Sequence, residues 1–169
     1  GIKLNNIDYL WEMESEDEIS KFSNDNTGAI FKLNSDLVFQ GEYSCQVIPS
    51  GNAIETKVAL DLTGELTVLW NNHSELVINF YIPDDCELTD FFLGMGDSND
   101  GWSWVDGVAS PQKATKGWNE VHYPLSDKMK GIKENGIYNL YIISWATDEN
   151  GIKIPITKPF YLDGISMAN

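Results

Sequence analysis

Residues 91–110 read FFLGMGDSNDGWSWVDGVAS: an apolar run, a cluster of turn formers, then a second run with two tryptophans spaced two apart. Side chains two apart in a strand leave the same face of a sheet, so Trp102 and Trp104 stand side by side. Asp97, Asn99, Asp100 and Asp106 surround them. Strand, turn and strand is also the unit of the rest of the chain. Short alternating runs occupy residues 29–33, 42–48, 55–62, 66–70, 75–82, 118–125, 137–146 and 160–167. Segments rich in Gly, Pro, Asn, Asp and Ser separate them, the longest being 126–136 and 147–159. At the start, Trp11 and Met13 alternate with Glu12 and Glu14 as in a strand with one wet face, and Ser15 with the acids after it reads as one helical turn.

No long 3.6-residue pattern, internal repeat or low-complexity tract interrupts this series. It predicts an all-β protein, an antiparallel β-sandwich of jelly-roll type with about ten short strands in two sheets. A length of 169 residues fits a single domain over 1–169 with a sizeable core.

Composition narrows the function classes. Acidic residues number 26 against 11 basic, a formal charge of −15, which repels nucleic acid and anionic membranes. Such a surface tolerates divalent cations. No run approaches a transmembrane span and no signal-peptide pattern precedes Ile2, so the chain reads as a mature domain or one module of a longer protein. Two cysteines, Cys45 and Cys86, make no zinc or redox motif and are expected as free thiols. His73 and His122 are the only histidines, and no nucleophile elbow, metal-binding helix or phosphate loop is present. The residues thus carry no specific catalytic signal, although two carboxylates facing each other across a cleft are a geometry no sequence excludes.

The tryptophan pair admits two readings. It fills a core, or it offers flat faces on which the axial C–H groups of a sugar ring pack, with nearby carboxylates and amides for the hydroxyls.

Five segments carry a resemblance: WEMES (11–15), GEYSCQV (41–47), ELVINFYIPDD (75–85), KGWNEVHYPLSD (116–127) and FYLDGI (160–165). Together they resemble the jelly-roll carbohydrate-binding modules of bacterial plant-cell-wall glycoside hydrolases, most like the mannan-binding modules of family 27, with the β-glucan-binding modules of family 11 close behind. The similarity covers nearly the whole chain in short, degenerate pieces.

The resemblance implies a non-catalytic, secreted, extracellular and monomeric module, attached to a glycoside hydrolase, that binds the interior of soluble β-linked polysaccharide. It implies a sugar-binding face with Trp102, Trp104, Tyr141 and Trp145 as rings and Asp97, Asp100 and Asp106 as hydroxyl partners. Trp70 and Trp118 match structural positions and are expected in the core. It also implies a structural Ca2+ between the first and last strands, held by Glu14 (or Glu12), Asp163 and backbone carbonyls near Gly41 and Glu42. Family 27 members carry tryptophans in the loop matching 49–54 and near Phe22; this chain has neither. A protein-binding adhesin-like domain with Trp102 and Trp104 as hot spots, or a small jelly-roll hydrolase or lyase, are the rival readings.

Overall fold

The structure is a computed structural model and describes residues 8–169. Its strands, in chain order, are β1 (Asp8–Trp11), β2 (Ile30–Asn34), β3 (Ser44–Ile48), β4 (Thr56–Thr63), β5 (Glu75–Ile82), β6 (Asp90–Asp97), β7 (Ser103–Gly107), β8 (Gln112–Lys113), β9 (Gly117–Pro124), β10 (Ile137–Thr147), β11 (Lys153–Ile154) and β12 (Phe160–Ala168). They form two six-stranded sheets. The first runs β2-β3-β12-β5-β9 with β1 also on β12, and the second runs β11-β10-β6-β7 with β4 on β10 and β8 on β6. Every pairing is antiparallel. The expected all-β sandwich is therefore present. Its strand count exceeds the expectation because two-residue strands, β8 and β11, lie near or within segments that read as turns.

Strand β10 shows how pattern becomes architecture. Tyr138, Leu140, Ile142, Ser144 and Ala146 are buried, while the residues between them, Asn139, Tyr141, Ile143 and Trp145, are only partly so. The first set enters the core and the second faces out, as a period of two requires. Neighbours β4 and β6 flank β10 along most of its length, from Ile137 opposite Thr63 to Trp145 opposite Asp90. Between the sheets, Phe80 of β5 stacks on Phe91 of β6 with centroids 4.2 Å apart. That contact is part of one apolar cluster running between the layers.

One predicted strand is a helix. Residues 66–70 belong to α2 (Glu65–Asn71), whose buried residues Thr67 and Trp70 are three apart. A run of five apolar and β-branched residues has no length to separate the two periods, and here Gly64 at φ 58° turns the chain out of β4 first. Trp70 is fully buried and its indole N–H donates to the Met129 carbonyl at 2.7 Å, beside the 3-10 turn Asp127–Met129. The expected early turn is α1 (Glu16–Ile19), capped by the Ser15 hydroxyl, which accepts from the Glu18 N–H. Cys45 and Cys86 are buried free thiols. Burial pushes both up, Cys86 to about 11, which keeps them protonated and inert.

Candidate functional site: an aromatic face on the second sheet

On the outward face of β6, the residues that follow inward Leu93 and Met95 are Gly94 and Gly96. Without side chains there, the indoles of the next strand fold back across the sheet. Trp104 lies against Gly94 and Trp102 against Gly96, so tightly that a Cβ at either glycine would collide with the ring above it. Trp102 is 58% and Trp104 50% exposed, so neither is core. On the other side of β6, Tyr141 of β10 is opposite Gly94. Its hydroxyl accepts the Trp102 indole N–H at 2.8 Å, with the rings at 73° and 6.4 Å between centroids.

These rings wall one side of an open groove of about 420 Å³, completed by Ile143, Asp25 and Lys57. Lys57 of β4 and Asp25 of the loop between α1 and β2 form an ion pair at 3.3 Å. Beside Tyr141 on the same face, Asn139 accepts from the Ser98 hydroxyl at 2.6 Å and donates to Asp61 at 3.1 Å. That chain locks the Asn139 amide in one orientation.

The expected acids take other places. Asp106 follows Trp104 by two residues but leaves the opposite face, because the β6–β7 ladder slips at this point: Trp104 pairs with Gly96 and Asp106 with Met95, leaving Val105 as an extra residue. Asp106 instead accepts from the Ser126 hydroxyl at 2.5 Å and the Gly107 N–H at 2.9 Å, bonds that hold its carboxyl below the usual range. Asp97 accepts from the N–H and side-chain amide of Asn99, both at 2.8 Å, and so shapes the turn. Asp100 is exposed at the tip of that turn. None of the three lines the groove.

Trp145 shares the outward face, as its parity with Tyr141 predicts, but lies beyond Ile143. Phe92 tilts against it at 6.3 Å, and the Lys153 ammonium, paired with Glu55 at 2.7 Å, sits 4.2 Å from its ring centroid. One side of this ring is thus already engaged by a cation. Trp118 departs from expectation in the other direction. It is 36% exposed on the outer face of the first sheet, in a row with Tyr81 and Tyr161 and with Phe39 packed on it at 5.3 Å. Only Trp70 of the two is core.

Gly94, Gly96, Asp25 and Lys57 were missed by sequence reasoning. The glycines had a signal, two of them at the same spacing as the tryptophans across the turn, since glycine within a strand marks close approach of another group. The Asp25–Lys57 pair had none, because its partners are 32 residues apart.

The place expected to hold calcium has an unsuitable donor set. Asp163 is buried and accepts from the Phe39 and Gln40 backbone N–H groups at 2.7 and 3.0 Å and from the Gln40 side-chain amide at 3.1 Å. Glu14 accepts from the Glu42 and Tyr43 N–H groups at 3.0 and 3.4 Å. Around Gly41 and Glu42 the chain presents N–H groups where the resemblance implies carbonyls. Glu12 is exposed, and its backbone, not its carboxylate, joins this network. Among the described residues, no three His, Cys, Asp or Glu side chains converge as metal ligands.

The groove holds one carboxylate, Asp25, among its lining residues. Glycoside hydrolysis needs two, facing each other at a set separation. His122 is held elsewhere between Glu75 and Glu120, and His73 between Asp8 and the Leu69 carbonyl.

No protein-family model and no curated protein matches this sequence. Solved structures do. A carbohydrate-binding module of the β-sandwich superfamily, described for promiscuous specificity, aligns with TM-score 0.66 at 16% identity over 98% of this chain; the chain spans 64% of that protein's length. The C-terminal family 22 module of Clostridium thermocellum Xyn10B aligns with TM-score 0.61 at 15% identity, over 95% of this chain and 92% of that one. The family 11 module from Clostridium thermocellum, in complex with a β-1,3-1,4-mixed-linked tetrasaccharide, aligns with TM-score 0.62 at 10% identity over 98% of both. At these identities the likeness is one of fold, shared with carbohydrate-binding modules of β-sandwich type. Family 11 is among the three; family 27 is not.

Proposed function

We propose that this chain is a non-catalytic binding module for the interior of soluble β-linked polysaccharide chains, mannan, glucomannan or β-glucan. The observation that carries the reading is the pair of half-exposed indoles packed against Gly94 and Gly96 beside Tyr141. A solvent-exposed aromatic surface with fixed polar neighbours suits the C–H faces and hydroxyls of a sugar ring. An open groove, unlike a closed pocket, admits a chain that continues at both ends. The fold neighbours lend support, one of them having been seen with a mixed-linked tetrasaccharide. In this reading the module is secreted and monomeric, and concentrates an attached glycoside hydrolase on plant cell wall, raising the effective concentration of substrate.

Affinity electrophoresis tests it, with glucomannan, galactomannan, xyloglucan, mixed-linkage glucan, xylan and hydroxyethylcellulose in the gels. Retardation of the wild type by at least one polysaccharide, abolished by Trp104→Ala, is the expected result. Free migration of folded protein on every gel defeats the proposal, and release of reducing sugar from any of them defeats its non-catalytic part.

A further inference from the structure

The network around Asp163 reaches beyond the sugar face. Asp163 lies in β12, directly across from Asn79 of β5, with 0% exposure. A lone carboxylate taken out of water at this depth needs a compensating partner. Fold relatives of this kind are expected to supply a cation between the first and last strands; here the partner is Gln40. Its side-chain nitrogen bridges the Glu12 carbonyl at 2.7 Å and Asp163 Oδ1 at 3.1 Å. Both neighbours are acceptors only, so the amide can meet them with its NH2 group and not with its oxygen.

The rest of the loop acts in the same sense. Gly41, at φ 67°, lets residues 39–43 curl so that the N–H groups on either side of it point inward. Phe39 and Gln40 donate to Asp163 Oδ2, and Glu42 and Tyr43 to Glu14. Such a concavity of N–H groups binds anions, and the two carboxylates are its anions. A calcium ion needs six to eight oxygens converging on it. The remaining buried acceptor, Asn79 Oδ1, has no partner, but one amide oxygen beside a carboxylate already engaged by three donors falls far short of that number.

We infer that the Gln40 amide and the N–H groups of Phe39, Gln40, Glu42 and Tyr43 stand in place of a structural calcium, so that this module joins its first and last strands without a metal ion. A cation entering the cleft would meet the positive ends of four backbone N–H dipoles and of the Gln40 amide. The same protons are what satisfy Asp163 and Glu14, so the two arrangements exclude each other.

Melting of the wild type in saturating CaCl2 and in excess EDTA tests this, alongside elemental analysis of protein equilibrated with calcium and then desalted. The same Tm in both buffers and no bound calcium are expected. Gln40→Leu, which keeps bulk but removes the donors, lowers the Tm by several degrees equally in both. Gln40→Glu, which replaces the NH2 with oxygen, melts earlier than the wild type in EDTA and in calcium alike. A wild-type Tm that falls in EDTA, or one calcium per chain after desalting, overturns the inference. The wild-type comparison stands even where a variant fails to fold, and it is independent of whether the protein binds any polysaccharide.

Discussion

Gly94 lies directly beneath the indole of Trp104, and there is no room between them for a methyl group. The absence of a side chain on β6 thus determines where a ring on β7 rests. Gly96 does the same for Trp102 and thereby sets the distance to Tyr141.

Gly94→Ala and Gly96→Ala are therefore expected to tilt the indoles off the sheet while leaving the core intact. Affinity for the retarding polysaccharide should fall about tenfold or more, a loss of ~1.4 kcal/mol or above, by isothermal titration calorimetry. Unchanged affinity in both variants would mean that ring placement is irrelevant to binding.

The groove's polar side belongs to Asp25 and Lys57 rather than to Asp97 and Asp100. Lys57→Ala should weaken binding by about 0.5 to 1.5 kcal/mol, the net worth of one or two hydrogen bonds, whereas Asp100→Ala should leave it unchanged. The opposite ranking would return the site to the turn.

Trp118 lies on the outer face of the other sheet, so Trp118→Ala should leave retardation in the gel unaltered. Trp70→Ala removes a fully buried indole and its bond to Met129, and should cost about 3 to 5 kcal/mol in urea unfolding. Equal effects of the two substitutions on stability would contradict their different burial.

His122 carries the pH dependence that can be signed. Hydrogen bonds that its ring donates to Glu75 and Glu120 raise its pKa above the ordinary imidazole value of 6.5. A raised folded pKa means that the native state binds the proton more tightly than the unfolded chain. The associated stabilisation is complete below the unfolded pKa and disappears as pH rises through the folded one. Because the group is partly exposed the effect is small. Stability measured from mildly acidic to mildly alkaline pH should decline for the wild type and stay flatter for His122→Gln. Identical slopes would refute the coupling.

The linear sequence by itself determined the layer architecture and which side chains share a face within one unbroken strand. Alternation in 137–147 put Asn139, Tyr141, Ile143 and Trp145 outward together, and the WSW spacing put the two indoles side by side, because a strand's period of two needs no partner to express itself. Parity stops carrying information where the ladder breaks. The slip at Val105 sends Asp106 away from Trp104, and it is visible only in the pairing with Met95 and Gly96. Helix or strand at 66–70 was likewise undecidable from five residues. Contacts between distant segments were out of reach for the same physical reason. Asp25 meets Lys57, and Gln40 meets Asp163, because the packing of the sheets and the closure of loops bring them together, and neither leaves a local period in the chain. Only the tertiary structure decided that the groove's charges come from a loop and β4, and that the carboxylate in the last strand is met by an amide.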